Sequence, residues 1–359
     1  MPDWSGVTLE TFNLTLLQYP MLCTACTCPL KLEGYQLGIM SYFPSLPGNA
    51  LFAAIFGLCL VPQIYLGIRH KTWGFLVCMF GGLLLELIGY IARILMRDDM
   101  FTDSYFIMQV FPFLSFFFLV VLDSNLQLRF RYLVCLTLAP AFFSAAIYLS
   151  LSRLVIIYAP EKARFRPQVY TYIFIACDLV ALILQAAGGA LASISEFGSP
   201  ALTAGVNTMI AGLAWQVAGL LLFAALSFEF WMRVRSRNGV QPPLNPVFAD
   251  LRAQRSFQPY FIVATVFVGV FIFVRSVYRC AELSGGFSGP LANDEITFMV
   301  LEGTMIILAA ILLTAFHPGL IVGTERWSAA SWKKGKQGSL SDTEEAGKEM
   351  ASSSDQSVL

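Results

Sequence analysis

The sequence is poor in charge: Asp, Glu, Lys and Arg make up 13% of its 359 residues, about half the share of an ordinary soluble domain. With 57% of the residues apolar, too little charge remains to cover a water-soluble globule. Net charge is zero, so no basic field recommends nucleic acid as a partner. Histidine is almost missing: His70 and His317 are the two present, each at the edge of an apolar run. That excludes a His-rich catalytic zinc site or a Ser/His pair within the apolar interior. Lysine is absent from the apolar runs, which removes a retinal-type Schiff base, and no G-x-x-x-x-G-K-[ST] occurs, which removes ATP hydrolysis by that route. No enzyme, cofactor or metal is expected.

What is present is a succession of apolar stretches, near 49–68, 72–95, 105–157 (irregular), 170–193, 204–230, 259–281 and 297–316. About 20 apolar residues cross a bilayer as a helix. The expected fold is therefore all-α, a polytopic membrane bundle of seven transmembrane helices. Basic residues fall in alternate connections: Arg69 and Lys71; Arg153, Lys162, Arg164 and Arg166; Arg233, Arg235, Arg237, Arg252 and Arg255; then Arg326, Lys333, Lys334 and Lys336. Since Lys and Arg stay on the cytoplasmic side, the N-terminus is expected outside and the C-terminus in the cytoplasm.

Three segments follow: a head over 1–48, a membrane domain over 49–323, and a tail over 324–359 whose Ser, Glu, Asp and Lys content predicts disorder. The head shows no basic-then-apolar leader. It carries a glycosylation sequon at Asn13 and a cluster of disulfide candidates, Cys23, Cys26 and Cys28, as suits an oxidising compartment. A zinc reading of that cluster lacks a fourth ligand. Cys280 is a further thiol on the outer side. Trp327 and Trp332, beside lysines, suit the inner headgroup layer.

Each intramembrane charge is costly, about +2.5 to +3.5 kcal/mol for Arg near a helix centre, and so is a functional hypothesis by default. With the topology above, Glu86, Arg93, Gln109, Asp178, Gln185, Arg275, Arg279, Glu282 and Glu302 fall between mid-membrane and the outer surface, with Gln216 near the middle. Helical spacing groups them. Arg275, Tyr278, Arg279 and Glu282 form one stripe, Glu86, Gly89, Tyr90 and Arg93 another, and Asp178, Gln185 and Gly189 a third, and all three are expected to face one polar chamber. The plainer alternative is a structural network that locks helix register. Gly81-Gly82, Gly188-Gly189 and Gly285-Gly286 read as sites of close helix or turn approach.

With these residues in place, the chain resembles the fungal lipid-translocating exporter family, the RTA-like proteins associated with aminocholesterol resistance and sphingoid long-chain base export. The resemblance covers roughly 42–323. It rests on Tyr42-Phe-Pro-Ser45 with Asn49, Glu86-Leu-Ile-Gly-Tyr90 with Arg93, Gln109, and Ala139-Pro-Ala-Phe142 with Ala145 and Tyr148. It continues through Asp178, Gln185-Ala-Ala-Gly-Gly189, Gly212 with Gln216, Arg275-Ser-Val-Tyr-Arg279 with Glu282 and Gly286, Glu295, Glu302, and His317-Pro-Gly319. One departure is residues 111–132, "FPFLSFFFLVVLDSNLQLRFRY", an extra stretch between Gln109 and Ala139. A second crossing there would invert every later basic loop, so the stretch is expected to be a retained intron or a re-entrant insertion.

The resemblance implies a plasma-membrane exporter of amphipathic lipids, such as sphingoid bases or sterol-like amines, that confers resistance to toxic lipids. Membrane lipids are the implied partners. On this reading Glu86, Asp178 and Glu302 receive a cationic amine, Arg275 and Arg279 hold those carboxylates or a phosphate, and Tyr90, Arg93, Gln109, Gln185, Gln216, Tyr278 and Glu282 complete the lining. A seven-span lipid-sensing receptor without transport is the alternative. Glu86 or Asp178 could carry a proton.

Overall fold

A backbone in hydrocarbon must satisfy its N–H and C=O groups within its own segment, which makes a long apolar run helical. The computed structural model describes residues 31–32, 35–36, 42, 44–96, 133–158, 163–194, 199–235, 248–253, 263–285, 289, 291 and 294–330. Asn13, Cys23, Cys26, Cys28, Gln109, Gly286, the 111–132 stretch and the tail beyond Ala330 lie outside the described residues.

The long helices are α1 (Leu46–Arg69), α2 (Trp73–Met96), α3 (Leu133–Tyr158), α4 (Pro167–Ile194), α5 (Pro200–Arg235) and, after the short α6 (Ala249–Ala253), α7 (Val263–Ser284). A last crossing joins α8 (Glu295–Thr297), a π-helical segment (Phe298–Thr304) and α9 (Met305–Ala315); the short α10 (Pro318–Ile321) and α11 (Thr324–Ala329) follow it. One feature departs from all-α. In the head, β1 (Lys31–Leu32) pairs antiparallel with β2 (Tyr35–Gln36).

Among the described residues six stretches are long and apolar enough to cross a membrane: Leu46–Arg69, Trp73–Leu95, Ala139–Tyr158, Pro167–Ala192, Pro200–Arg235 and Glu295–Ile321. The other expected crossing is α7, which has the length but carries Arg275, Arg279 and Glu282. It belongs to the bundle all the same, packed on α3, α5 and α9. Neighbours run α1–α2–α3–α4–α5–α7–α9 and back to α1, so these described helices close a ring. The expected third crossing, 105–157, is a helix from Leu133 onward.

The ring is greasy outside and polar within. Leu58, Val61, Tyr172, Leu179, Ile183, Trp215 and Phe228 point outward, while Glu86, Asp178, Arg275 and Glu302 are buried, the inverse of a soluble protein and the arrangement that hydrocarbon demands. Apolar side chains fill the rest of the interior, including Tyr148, Phe174 and Phe223, whose rings interlock across α3, α4 and α5 at 4.7–5.4 Å.

Close approach is set by glycine. A Cβ on Gly188 of α4 would lie 2.6 Å from Gly205 O and Met209 N of α5, and one on Gly205 would lie 2.6 Å from Ala192 N. The α4–α5 contact is thus backbone against backbone, as small residues permit. Between α1 and α2 the chain reverses in three residues: Thr72 N–H donates to Gly67 O (3.0 Å) and Lys71 N–H to Ile68 O (3.2 Å). This is the paired helix-ending pattern that needs a left-handed residue, supplied by Lys71 at φ 53°.

Basic connections gather at one end. His70 Nδ1 meets Thr324 Oγ1 at 3.0 Å, Arg164 pairs with Glu229 at 3.5 Å, and Arg153 donates to Trp327 O at 2.7 Å with its guanidinium over the indole. Thr324, the expected start of the tail, opens α11, and the Trp327 side chain of that helix is buried. At the opposite end Ser45 N–H donates to Glu295 (2.6 Å).

Candidate functional site

Toward that opposite end, charges from separate helices meet. Arg275 of α7 donates from Nη2 to Glu302 Oε1 at 2.6 Å and stands 3.9 Å from Glu86 Oε1 of α2. One turn on, Arg279 pairs with Glu282 at 2.6 Å and approaches the same Glu302 oxygen at 3.8 Å. Arg275, Arg279 and Glu282 share a face because they sit at i, i+4 and i+7. Glu86, Arg275 and Glu302 are at most 3% exposed. Burial on this scale removes most of the solvation of each ion, so the pairs hold only as a mutual set.

Glu302 reaches the set through the π-helical segment, in which Thr304 Oγ1 donates to Met299 O five residues back. Such wide turns occur mostly as single insertions inside α-helices, frequently at functional sites. The residue after Glu302 is just as constrained: a Cβ on Gly303 would fall 2.3 Å from Phe52 and 2.5 Å from the Tyr90 hydroxyl. Glycine there leaves room for the hydroxyl of Tyr90, whose ring packs against Phe52 and Phe56 and which stands in the field of Glu86 and Glu302. Tyr278 stands in the field of Glu282, Glu302 and Arg279.

The other expected members are held apart. Arg93 donates to Asn49 Oδ1 (3.2 Å) and Tyr42 OH (2.8 Å), and its guanidinium lies 4.0 Å over the Phe298 ring. Asp178 faces Ser144 of α3 at 2.6 Å. Gln185 and Gln216 meet each other at 3.4 Å between α4 and α5. The expectation of three stripes facing one chamber is therefore corrected: α2, α7 and the π segment form one ionic set, whereas the Asp178–Gln185 stripe turns to α3 and α5. Helical spacing assigns a residue to a face of its own helix, and which neighbour that face meets depends on the ring order.

Asn49, Tyr42, Phe298 and Ser144 were not among the expected site residues. Asn49 and Tyr42 lie in the motif carried by the resemblance. Phe298 and Ser144 are an aromatic and a hydroxyl in apolar runs, without a signal of their own. Among the described residues no group of three or more His, Cys, Asp or Glu is placed to hold a metal.

A closed ring of long apolar helices around buried ion pairs defines a multi-pass integral membrane protein. Residues 113–325 match the family described as RTA1 like protein, so the chain belongs to the RTA1-like family. It is 28% identical over 299 residues to a Saccharomyces cerevisiae protein named sphingoid long-chain base transporter RSB1, covering 77% of this chain and 72% of that one. It is 23% identical over 310 residues to the probable lipid transporter atnI of Emericella nidulans, covering 83% and 73%. Protein RTM1 of S. cerevisiae is 25% identical over 260 residues, covering 70% and 72%. No solved structure matches.

Proposed function

We propose that the chain is a non-enzymatic exporter that moves amphipathic lipids, sphingoid long-chain bases or sterol-like amines, across the plasma membrane and so protects against toxic lipids. It crosses the bilayer seven times, α7 included, with its N-terminus outside and its C-terminus in the cytoplasm. The names of the relatives support lipid movement as the family's activity. The observation that carries the amine is the charge count of the ionic set: among the described residues Glu86, Glu282 and Glu302 form their ion pairs with Arg275 and Arg279, three carboxylates to two guanidiniums. Among the described residues Glu86 Oε1 is buried without a hydrogen bond, with Arg275 at 3.9 Å.

A lipid ammonium would complete that count at Glu86 while its chain stays in hydrocarbon between helices. Arg275 holds Glu302 in place and keeps the carboxylates from repelling one another. A charge-assisted contact of this kind is worth about 1.5 to 3 kcal/mol, a factor on the order of ten to a hundred in affinity. The test uses purified protein in liposomes, a labelled sphingoid base and its uncharged N-acyl counterpart. The free base is expected to move, the N-acyl form to move slowly, and Glu86→Gln to lose the free base selectively. Equal movement of both lipids, or full activity in Glu86→Gln, refutes the amine site. Movement without any other protein present excludes a pure receptor.

A further inference from the structure

Asp178 is the only charged residue on α4, is 4% exposed, and has no ion pair among the described residues. An isolated buried carboxylate is costly to keep ionised. The groups facing it from α3 are Ser144 and Tyr148. The single charged residue on α3, Arg153, lies nine positions beyond Ser144 and is engaged with Trp327. On its own helix Cys177 is adjacent. From α5, the other helix packed on α4, no charged residue occurs before Glu229, which pairs with Arg164 and Arg233. The charges of α2 and α7 nearest the interior, Glu86, Arg275, Arg279 and Glu282, form the separate ionic set.

The geometry at Ser144 admits two proton arrangements. Its Oγ lies 2.6 Å from Asp178 Oδ2 and 3.0 Å from Ala141 O. A hydroxyl has one proton and a carbonyl only accepts. If Ser144 donates to Asp178, Oδ2 carries no proton, so the carboxyl can stay ionised, and nothing is given to Ala141. If Ser144 donates to Ala141, the short contact to Oδ2 requires that Asp178 itself donate, and hence that it be protonated. Uptake adds one proton to Oδ2 and turns the Ser144 hydroxyl to Ala141 O; release reverses both, with no other atom exchanged. Among the described residues Asp178 Oδ1 and the Tyr148 oxygen are buried beside this pair without a hydrogen bond of ordinary geometry, so a second acceptor and a second hydroxyl are at hand for the ionised form.

We propose that Asp178 and Ser144 form a proton-carrying site, distinct from the Glu86–Arg275–Glu302 set, that couples lipid movement to a proton. The coupling rests on the transport reading above, whereas the proton site does not. Two measurements on the full chain in vesicles separate them. In infrared difference spectra between acid and neutral pH, a protonated-carboxyl C=O band is expected that disappears in Asp178→Asn and shifts in Ser144→Ala, which removes its hydrogen bond. Should Asp178→Asn not accumulate, the Ser144→Ala shift reads the same contact. A band unchanged in both variants, or no such band, overturns the site. In vesicles holding a pH-sensitive dye, a sphingoid base is expected to drive proton movement that falls to the protein-free background in Asp178→Asn. Proton movement that persists in that variant, or lipid movement that follows a sodium gradient instead, overturns the coupling. If the unaltered protein moves no lipid, the transport reading fails on its own, and the infrared band still decides the proton site.

Discussion

Exchange of Arg275 for Met removes one of two guanidiniums from the ionic set and leaves three carboxylates facing Arg279. The loss is unevenly shared. Glu282 retains Arg279 at 2.6 Å and Glu302 retains it at 3.8 Å, whereas Glu86, 3.9 Å from Arg275, keeps no other ion pair among the described residues. Methionine fills similar volume, so the effect is mainly electrostatic. Breaking a buried pair by removing one partner costs about 3 to 5 kcal/mol. If Glu86 is the orphan, Glu86→Gln in the Arg275→Met background removes the uncompensated charge and returns the set to its original excess of one. Contacting residues couple by about 0.5 to 3 kcal/mol, so the double variant is expected to be more stable than Arg275→Met alone. The assay is thermal denaturation of the four purified proteins in one detergent, followed by size-exclusion chromatography of heated samples. An Arg275→Met protein as stable as the parent, or effects that merely add, would refute the shared pairing.

Two further outcomes follow from packing. Gly188→Val is expected to separate α4 from α5 and abolish the folded protein, because its Cβ would meet backbone at 2.6 Å, while Gly219→Ala, with nothing within 4 Å, should melt as the parent does; expression and melting read both. Trp327→Ala should destabilise by about 3 to 5 kcal/mol, the usual range for a buried Trp, and Arg153→Ala should lower the melting temperature by less, since the indole remains buried without its overlying guanidinium.

The helices themselves were legible in the sequence because a chain in hydrocarbon has little choice: length and apolarity decide that a run is helical, and spacing decides which residues share its face. So α1, α2, α4, α5 and the last crossing lie within a few residues of their expected bounds, and Arg275, Arg279 and Glu282 do share a face, from which the two arginines reach Glu302. The stripe on α7 was equally readable, although its charges take it out of the class of simply apolar crossings. The partner of Trp327 was not readable in the same way: its cation-π contact with Arg153 of α3 spans 174 residues of sequence and leaves no local trace.

Composition and periodicity alone thus determined a helical membrane bundle with ionisable residues inside it. Only the tertiary structure decided how those residues divide. Asp178 and Glu86 look alike in the sequence, each an acid in an apolar helix, yet ring order turns one toward the hydroxyls of α3 and the other toward the guanidinium of Arg275. The physical reason is that burial raises the worth of every polar partner, so what a buried carboxylate does depends on the neighbouring helix it faces, which its own stretch of chain does not specify.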